Sequence, residues 1–182
     1  MLYEAIIGIA GAIGSGKTSL TKAICGSLKA REVSFGHYVS QRVIHGGGIP
    51  SREALQEMGQ RLIQELGMER FVLNVLAEAN VKWDDLIVIE GVRHLDAWEA
   101  LSRLSERRML VYLDVEEEAR LSRASIRDGI SADYIECDLK HPVEAGVNAL
   151  RGYADVILSD GSIGSWVTKV AERARILGVL PN

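Results

Sequence analysis

Cysteine, excess basic charge and long apolar runs are all scarce in this 182-residue chain, and each shortage excludes something. Cys25 and Cys137 are the two cysteines. They lie far apart and in no metal-ligand spacing, so they read as plain buried or half-buried thiols in a reducing compartment. Lys and Arg number 21 against 25 Asp and Glu, for a net charge of −4. The basic residues are dispersed rather than gathered into an arm, which argues against a general nucleic-acid binder. No stretch reaches the roughly 18 apolar residues that span a membrane. The apolar N-terminus has no basic leader and carries Glu4, so it is not read as a signal peptide and a cytoplasmic protein is expected. There is no internal repeat and no low-complexity linker. His37, His45, His94 and His141 show no metal-ligand spacing. His45-Gly46-Gly47-Gly48 has the look of an oxyanion loop, but the chain contains no G-x-S-x-G elbow to go with it.

What is present is alternation. An apolar run, Ala5 to Ala10, leads into Gly11-Ala12-Ile13-Gly14-Ser15-Gly16-Lys17-Thr18-Ser19, which fits G-x-x-x-x-G-K-[ST] at every fixed position. A helical pattern follows at 17 to 29, with Leu20, Ile24 and Leu28 on one face. Further strands are expected at 31 to 35, 85 to 90, 108 to 114 and 155 to 159. Gly36 is expected to break the second. Helices are expected at 37 to 44, 51 to 65, 69 to 80, 94 to 105, 116 to 127, 142 to 151 and 162 to 177. Ser51 reads as an N-cap and Gly67 as a stop. Strands alternating with helices give a single three-layer α/β domain over residues 1–182, built on a five-stranded parallel sheet. Trp83, Trp98 and Trp166 read as packing residues at element margins.

The glycine motif lies between a buried strand and a helix, the context that makes it a phosphate-binding loop. Its backbone N–H groups and the positive end of the helix point at one anion. Lys17 is expected to reach the β- and γ-phosphates and Thr18 to take a position on Mg²⁺. Base-reading signatures of the N-K-x-D type are absent, which favours ATP over GTP.

Ligands of open parallel sheets bind beyond the carboxyl ends of the strands. Glu90 ends the third strand, and no packing need explains a carboxylate there. It is expected to hold Mg²⁺ directly or through water. Arg93, one turn further on, has the fork of donors that grips a phosphate. After the fourth strand come Asp114 and a helix with Arg120, Arg123 and Arg127 on one face. Such arginines can neutralise a migrating phosphoryl group. The helical segment after the second strand (36–80) and the charged stretch after the fourth (120–141) are expected to be the parts that close over ligands.

With those residues in view, the chain resembles the P-loop nucleoside-monophosphate-kinase superfamily, nearest its adenylate kinase and dephospho-coenzyme A kinase-like branch. GAIGSGKT carries the nucleotide signature. VIEGVR is similar to the strand and D-G-x-x-R stretch, with Glu90 replacing aspartate. SFGHYVSQR resembles the opening of the acceptor-binding helices, DVEEEARLSRASIR the lid helix, and ADVILSDGS the last strand and the loop bordering adenine. The resemblance implies strand order 2-3-1-4-5, an acceptor-binding insertion at 36–80 and a lid at 120–141. It further implies ATP and Mg²⁺ as cofactors, and phosphoryl transfer to a nucleotide or other phosphate-bearing metabolite. Lys17, Arg93, Arg123 and Arg127 would be catalytic, and Thr18 and Glu90 metal-binding.

Two departures stand out. The family's Gly-Asp-x-x-Arg acceptor segment is here Gly36-His37-Tyr38-Val39-Ser40, so the clamping arginine is missing unless Arg42 or Arg52 replaces it. The aspartate that serves a hydroxyl acceptor as base after the second strand is also missing, with His37 as its only stand-in. A phosphate acceptor is ionised at neutral pH, its second pKa lying near ~6, and needs no base. Transfer to a hydroxyl, as in a dephospho-coenzyme A kinase, and an ATP-binding switch without an acceptor are the alternatives.

Overall fold

Strand β1 (Ala5–Gly11) is buried at every position, because both of its faces are covered. Ala5, Ile7 and Ile9 enter one apolar cluster, and Ile6 and Ala10 enter another on the opposite face. Each fully buried isoleucine contributes about 1.5–3 kcal/mol. Gly8 leaves room on the second face for Trp98, whose ring would stand 2.8 Å from a Cβ there.

These features come from a computed structural model that describes residues 2–120, 122 and 142–181. From β1 the chain passes through α1 (Lys17–Leu28) to β2 (Arg31–Ser34). Three helices then connect to the next strand: α2 (Phe35–His45), α3 (Arg52–Leu66) and α4 (Met68–Glu78). There follow β3 (Leu86–Val92), α5 (Leu95–Ser102) and β4 (Arg108–Leu113). Further along come α6 (Pro142–Ala149), a 3₁₀ turn (Leu150–Tyr153), β5 (Val156–Leu158) and α7 (Ile163–Ile176). The five strands are all parallel in the order β2-β3-β1-β4-β5, the order that the resemblance implies.

Helices α1 and α7 cover one face of the sheet. Helices α2, α4 and α5, with Val147 of α6, cover the other. The helices that leave the neighbouring strands β1 and β3 therefore go to opposite faces. That is the switch point where an open α/β sheet forms its binding crevice.

Among the boundaries that differ from the sequence reading, two bear on the site. Gly36 does not break the chain before a helix; it sits in the first turn of α2, which starts at Phe35 because the Ser34 hydroxyl caps it by accepting the His37 N–H at 3.1 Å. Strand β3 does not stop at Glu90 but runs on to Val92. Gly91 is the extra residue of a bulge there: Ile9 pairs with Glu90, and Ala10 with Val92.

Helix α3 is built differently from the rest. It packs against α2 and α4, and none of its fifteen residues is fully buried. Leu55, Met58, Leu62 and Ile63 only edge against the core. A helix held this loosely over a core leaves space beneath it.

Candidate active site

The glycine loop begins where β1 ends. Gly14 has φ 77° and Gly16 has φ 95°, both left-handed and both natural only for glycine. At Gly14 a Cβ would also run into the Arg120 carbonyl. Gly16 is the N-cap of α1, with no side-chain cap and no acidic residue in the first turn. The contrast with α2, α3 and α7 is direct, since Ser34, Ser51 and Ser162 close those helices. Helices α4 and α5, also without side-chain caps, carry Glu69 and Asp96 in their first turns. Helix α1 therefore starts with no side-chain cap and no acidic residue in its first turn, so its positive dipole end faces the loop uncompensated by either, which suits an anion site.

Lys17 lies across this loop and donates to the carbonyls of Gly11 and Ala12, each at 2.8 Å. Arg120 holds the loop from above, donating from Nη1 to the Ile13 carbonyl at 3.2 Å and from Nε to the Val115 carbonyl at 3.1 Å. Trp166 flanks it: its Cζ3 would be 3.9 Å from a Cβ on Gly16, and its Nε1 donates to the Asp160 carbonyl at 3.1 Å. The end of β5 thus stands beside the loop. Thr18 and Ser19 are exposed in the first turn of α1.

Glu90 ends beside the loop through its pairing with Ile9. Its Oε1 accepts from Ser34 Oγ at 3.1 Å, while Oε2 is buried with no hydrogen-bond partner among the described residues. A buried carboxylate oxygen left unanswered is costly, and a hydrated divalent cation is a group that would answer it. No cluster of three or more His, Cys, Asp or Glu among the described residues makes a self-sufficient metal cage. The donor set fits Mg²⁺, which takes one or two protein oxygens and fills the rest of its shell with water and phosphate. The negative field at this point reaches Cys25 on α1, whose thiol is pushed up to about 11 by burial first and then by Glu32 and Glu90.

Beyond the loop, under α3, lies a cavity of about 560 Å³. Ile13 of the phosphate loop forms part of its wall, so the cavity opens against the loop. Phe35, Val39, Leu55, Ile63, Met68 and Phe71 line it with apolar surface. Phe35 and Phe71 are stacked, with centroids 5.5 Å apart. Its polar lining consists of Arg52, Gln56, Gln60 and Gln64 from α3 and Arg93 and His94 from the β3–α5 turn. Among the described residues, no carboxylate lines it. The Gly91 bulge, with φ 83°, precedes Arg93 and His94. Burial, and then the Arg93 charge, lower the pKa of His94 below its ordinary value, against a smaller opposing pull from Asp96.

The structure thus brings Lys17, the loop residues and Glu90 to one end of the sheet and puts Arg93 in the adjoining cavity. Of the two possible replacements for the missing arginine, Arg52 lines the cavity and Arg42 does not. Arg42 is ion-paired with Glu78 and lies over the Tyr38 ring, 4.6 Å from its centroid. His37 is exposed and outside the cavity. Asp114 is ion-paired with Arg151 at 3.0 Å. Arg123, Arg127 and most of the expected lid lie outside the described residues. Sequence reading missed the glutamines. Their signal was present: Arg52, Gln56, Gln60 and Gln64 recur every fourth residue, along one side of a helix.

No family model matches the chain, and no curated protein does. Solved structures do. A Thermus thermophilus protein is similar at 18% identity and TM-score 0.68, over 99% of this chain and 100% of its own. A sugar kinase from Janibacter sp. HTCC2649 is similar at 17% identity and TM-score 0.61, over 98% and 99%. The shikimate kinase from Bacteroides thetaiotaomicron is similar at 21% identity and TM-score 0.52, over 97% and 99%. The fold is that of the P-loop kinases.

Proposed function

We propose that this chain transfers the γ-phosphoryl group of ATP to a small-molecule acceptor bearing a phosphate or similar anionic group, a nucleotide or another phosphate-bearing metabolite. The observation that carries the reading is the cavity against the phosphate loop, which holds two arginines and, among the described residues, no carboxylate. Two guanidinium groups in the lining suit a dianion. The apolar walls suit a flat, uncharged body, whose edges the glutamine amides can meet as donors and acceptors alike. The kinases among the structural neighbours support phosphoryl transfer as the chemistry.

In this reading the loop amides and Lys17 hold the β- and γ-phosphates of ATP. Lys17 gives up its two loop carbonyls for phosphate oxygens when nucleotide enters. Thr18 and Glu90 would hold Mg²⁺, which when bound neutralises charge on the phosphate oxygens. Arg93 would bind the acceptor from the cavity lining, and Arg123 and Arg127 would add positive charge around the transferred group.

A second reading has one observation in its favour. His94 lines the cavity with its pKa lowered, so a neutral imidazole is available to take a proton from a hydroxyl acceptor. The deciding experiment is ADP release from Mg-ATP against nucleoside monophosphates, dephospho-coenzyme A, shikimate and gluconate. Stimulation by a nucleoside monophosphate is the expected result. Stimulation by a hydroxyl acceptor alone moves the assignment to the His94 reading. ATP binding without stimulation by any acceptor leaves a nucleotide switch, and no ATP binding refutes all three.

A further inference from the structure

The Ser34 hydroxyl has two partners at once. It accepts the His37 N–H, capping α2, and it donates to Glu90 Oε1, each at 3.1 Å. Ser34 and Glu90 are register partners in the parallel β2–β3 pair, so the sheet itself brings the two side chains together. Helix α2 contributes Phe35, Gly36 and Val39 to the cavity wall. One hydroxyl therefore joins the acceptor-side helix to the carboxylate beside the phosphate loop.

A carboxylate has two equivalent oxygens and a soft terminal torsion, so a lone Glu90 would present either oxygen to a ligand. With Oε1 taken by Ser34, Oε2 is the oxygen left over, and it is buried and without a partner among the described residues. We propose that Ser34 is a positioning residue for Glu90: it occupies Oε1 and so reserves Oε2 for the Mg²⁺ shell at the phosphate loop. The inference rests on the nucleotide and Mg²⁺ reading above. Groups that orient a metal-binding side chain in this way typically alter metal affinity 10–100-fold when removed.

The test is calorimetric binding of ADP with and without Mg²⁺, which needs no turnover. In the unaltered protein Mg²⁺ tightens ADP binding. In Ser34→Ala that tightening falls by about tenfold, while ADP binding without metal is unchanged. Ser34→Thr, which keeps the hydroxyl, restores it. In a Glu90→Gln background Ser34→Ala causes no further loss, because there is no carboxylate left to orient. A purely structural cap predicts something else: a lower melting temperature with the Mg²⁺ effect intact, and that result overturns the proposal. An equal loss in the Glu90→Gln background, or no Mg²⁺ effect in the unaltered protein, overturns it as well. Ser34→Gly, which a helix start tolerates better than alanine, carries the same expectation if Ser34→Ala does not fold. Absence of any ADP binding by the unaltered protein refutes the nucleotide reading beneath the proposal instead.

Discussion

In the proposed reading, backbone would recognise the ligand on the donor side of the crevice, and side chains would do so on the acceptor side. The phosphate loop hangs from a strand buried along its whole length, and its turns depend on left-handed glycines. Its ligand would meet main-chain N–H groups, which every sequence has, in a geometry that few sequences permit. The cavity under α3 reverses this arrangement. Its helix has no fully buried residue, and its character comes from which side chains project from an ordinary helical repeat. The difference teaches where specificity can change. On that reading a donor site built on backbone would tolerate little substitution, whereas the polar positions of α3, a helix with no fully buried residue, could change at small cost to the fold.

Substitutions on the two sides should therefore part activity from stability in opposite ways. The largest effect is expected at Lys17. Lys17→Ala should lower kcat by about 10³-fold, as loss of a group aimed at transition-state charge does, and leave the melting curve nearly unmoved. Near-normal phosphoryl transfer in that variant would break the donor half of the comparison.

Next comes Gly91, which belongs to both sides. A Cβ there meets nothing closer than 3.6 Å, but the φ of 83° should make Gly91→Ala cost about 1–2 kcal/mol. A chemical denaturation series reads this directly, and unchanged stability would mean that the bulge relaxes.

Gln60→Ala should be milder and purely functional. Loss of one hydrogen bond to acceptor, about 1 kcal/mol, predicts a roughly fivefold rise in acceptor KM with kcat and stability preserved. A stability loss instead would show that α3 is a structural strut rather than a reading surface.

The smallest effect is expected at His94. Its folded-state pKa is lowered, so between that value and the ordinary one near ~6.5 the unfolded chain holds a proton that the folded chain does not. Stability then rises with pH through that window, is fully present above it, and is lost as pH falls through the folded value. Melting curves from pH 7.5 downward should be less pH-sensitive in His94→Gln. Parallel curves would remove His94 from the balance.

The strands and the phosphate loop were legible in the sequence because each rests on a local cue, an apolar run or a glycine spacing, whereas the strand order came from the family resemblance. Gly36 misled because a glycine between a strand and a helix reads as a break, whereas the Ser34 cap lets the helix absorb it. The end of β3 was misplaced because a bulge at Gly91 has no signature beyond a glycine. The cavity was illegible for a deeper reason. Gln56, Gln60 and Gln64 have the polarity of a solvated helix face, and Gln60 and Gln64 are indeed exposed; only the tertiary placement of α3 makes that face part of the wall of a cavity with stacked Phe35 and Phe71.

The position of Trp166 has an optical consequence. An indole standing against Gly16, with its N–H tied to Asp160, feels the field of whatever charge enters the phosphate loop, and indole emission is sensitive to such fields. Trp98 sits behind β1, and Trp83 is stacked on Tyr3 with centroids 4.6 Å apart; both are left to supply a steady background. The chain thus carries its own fluorescent gauge of loop occupancy, readable without a label or a coupled assay.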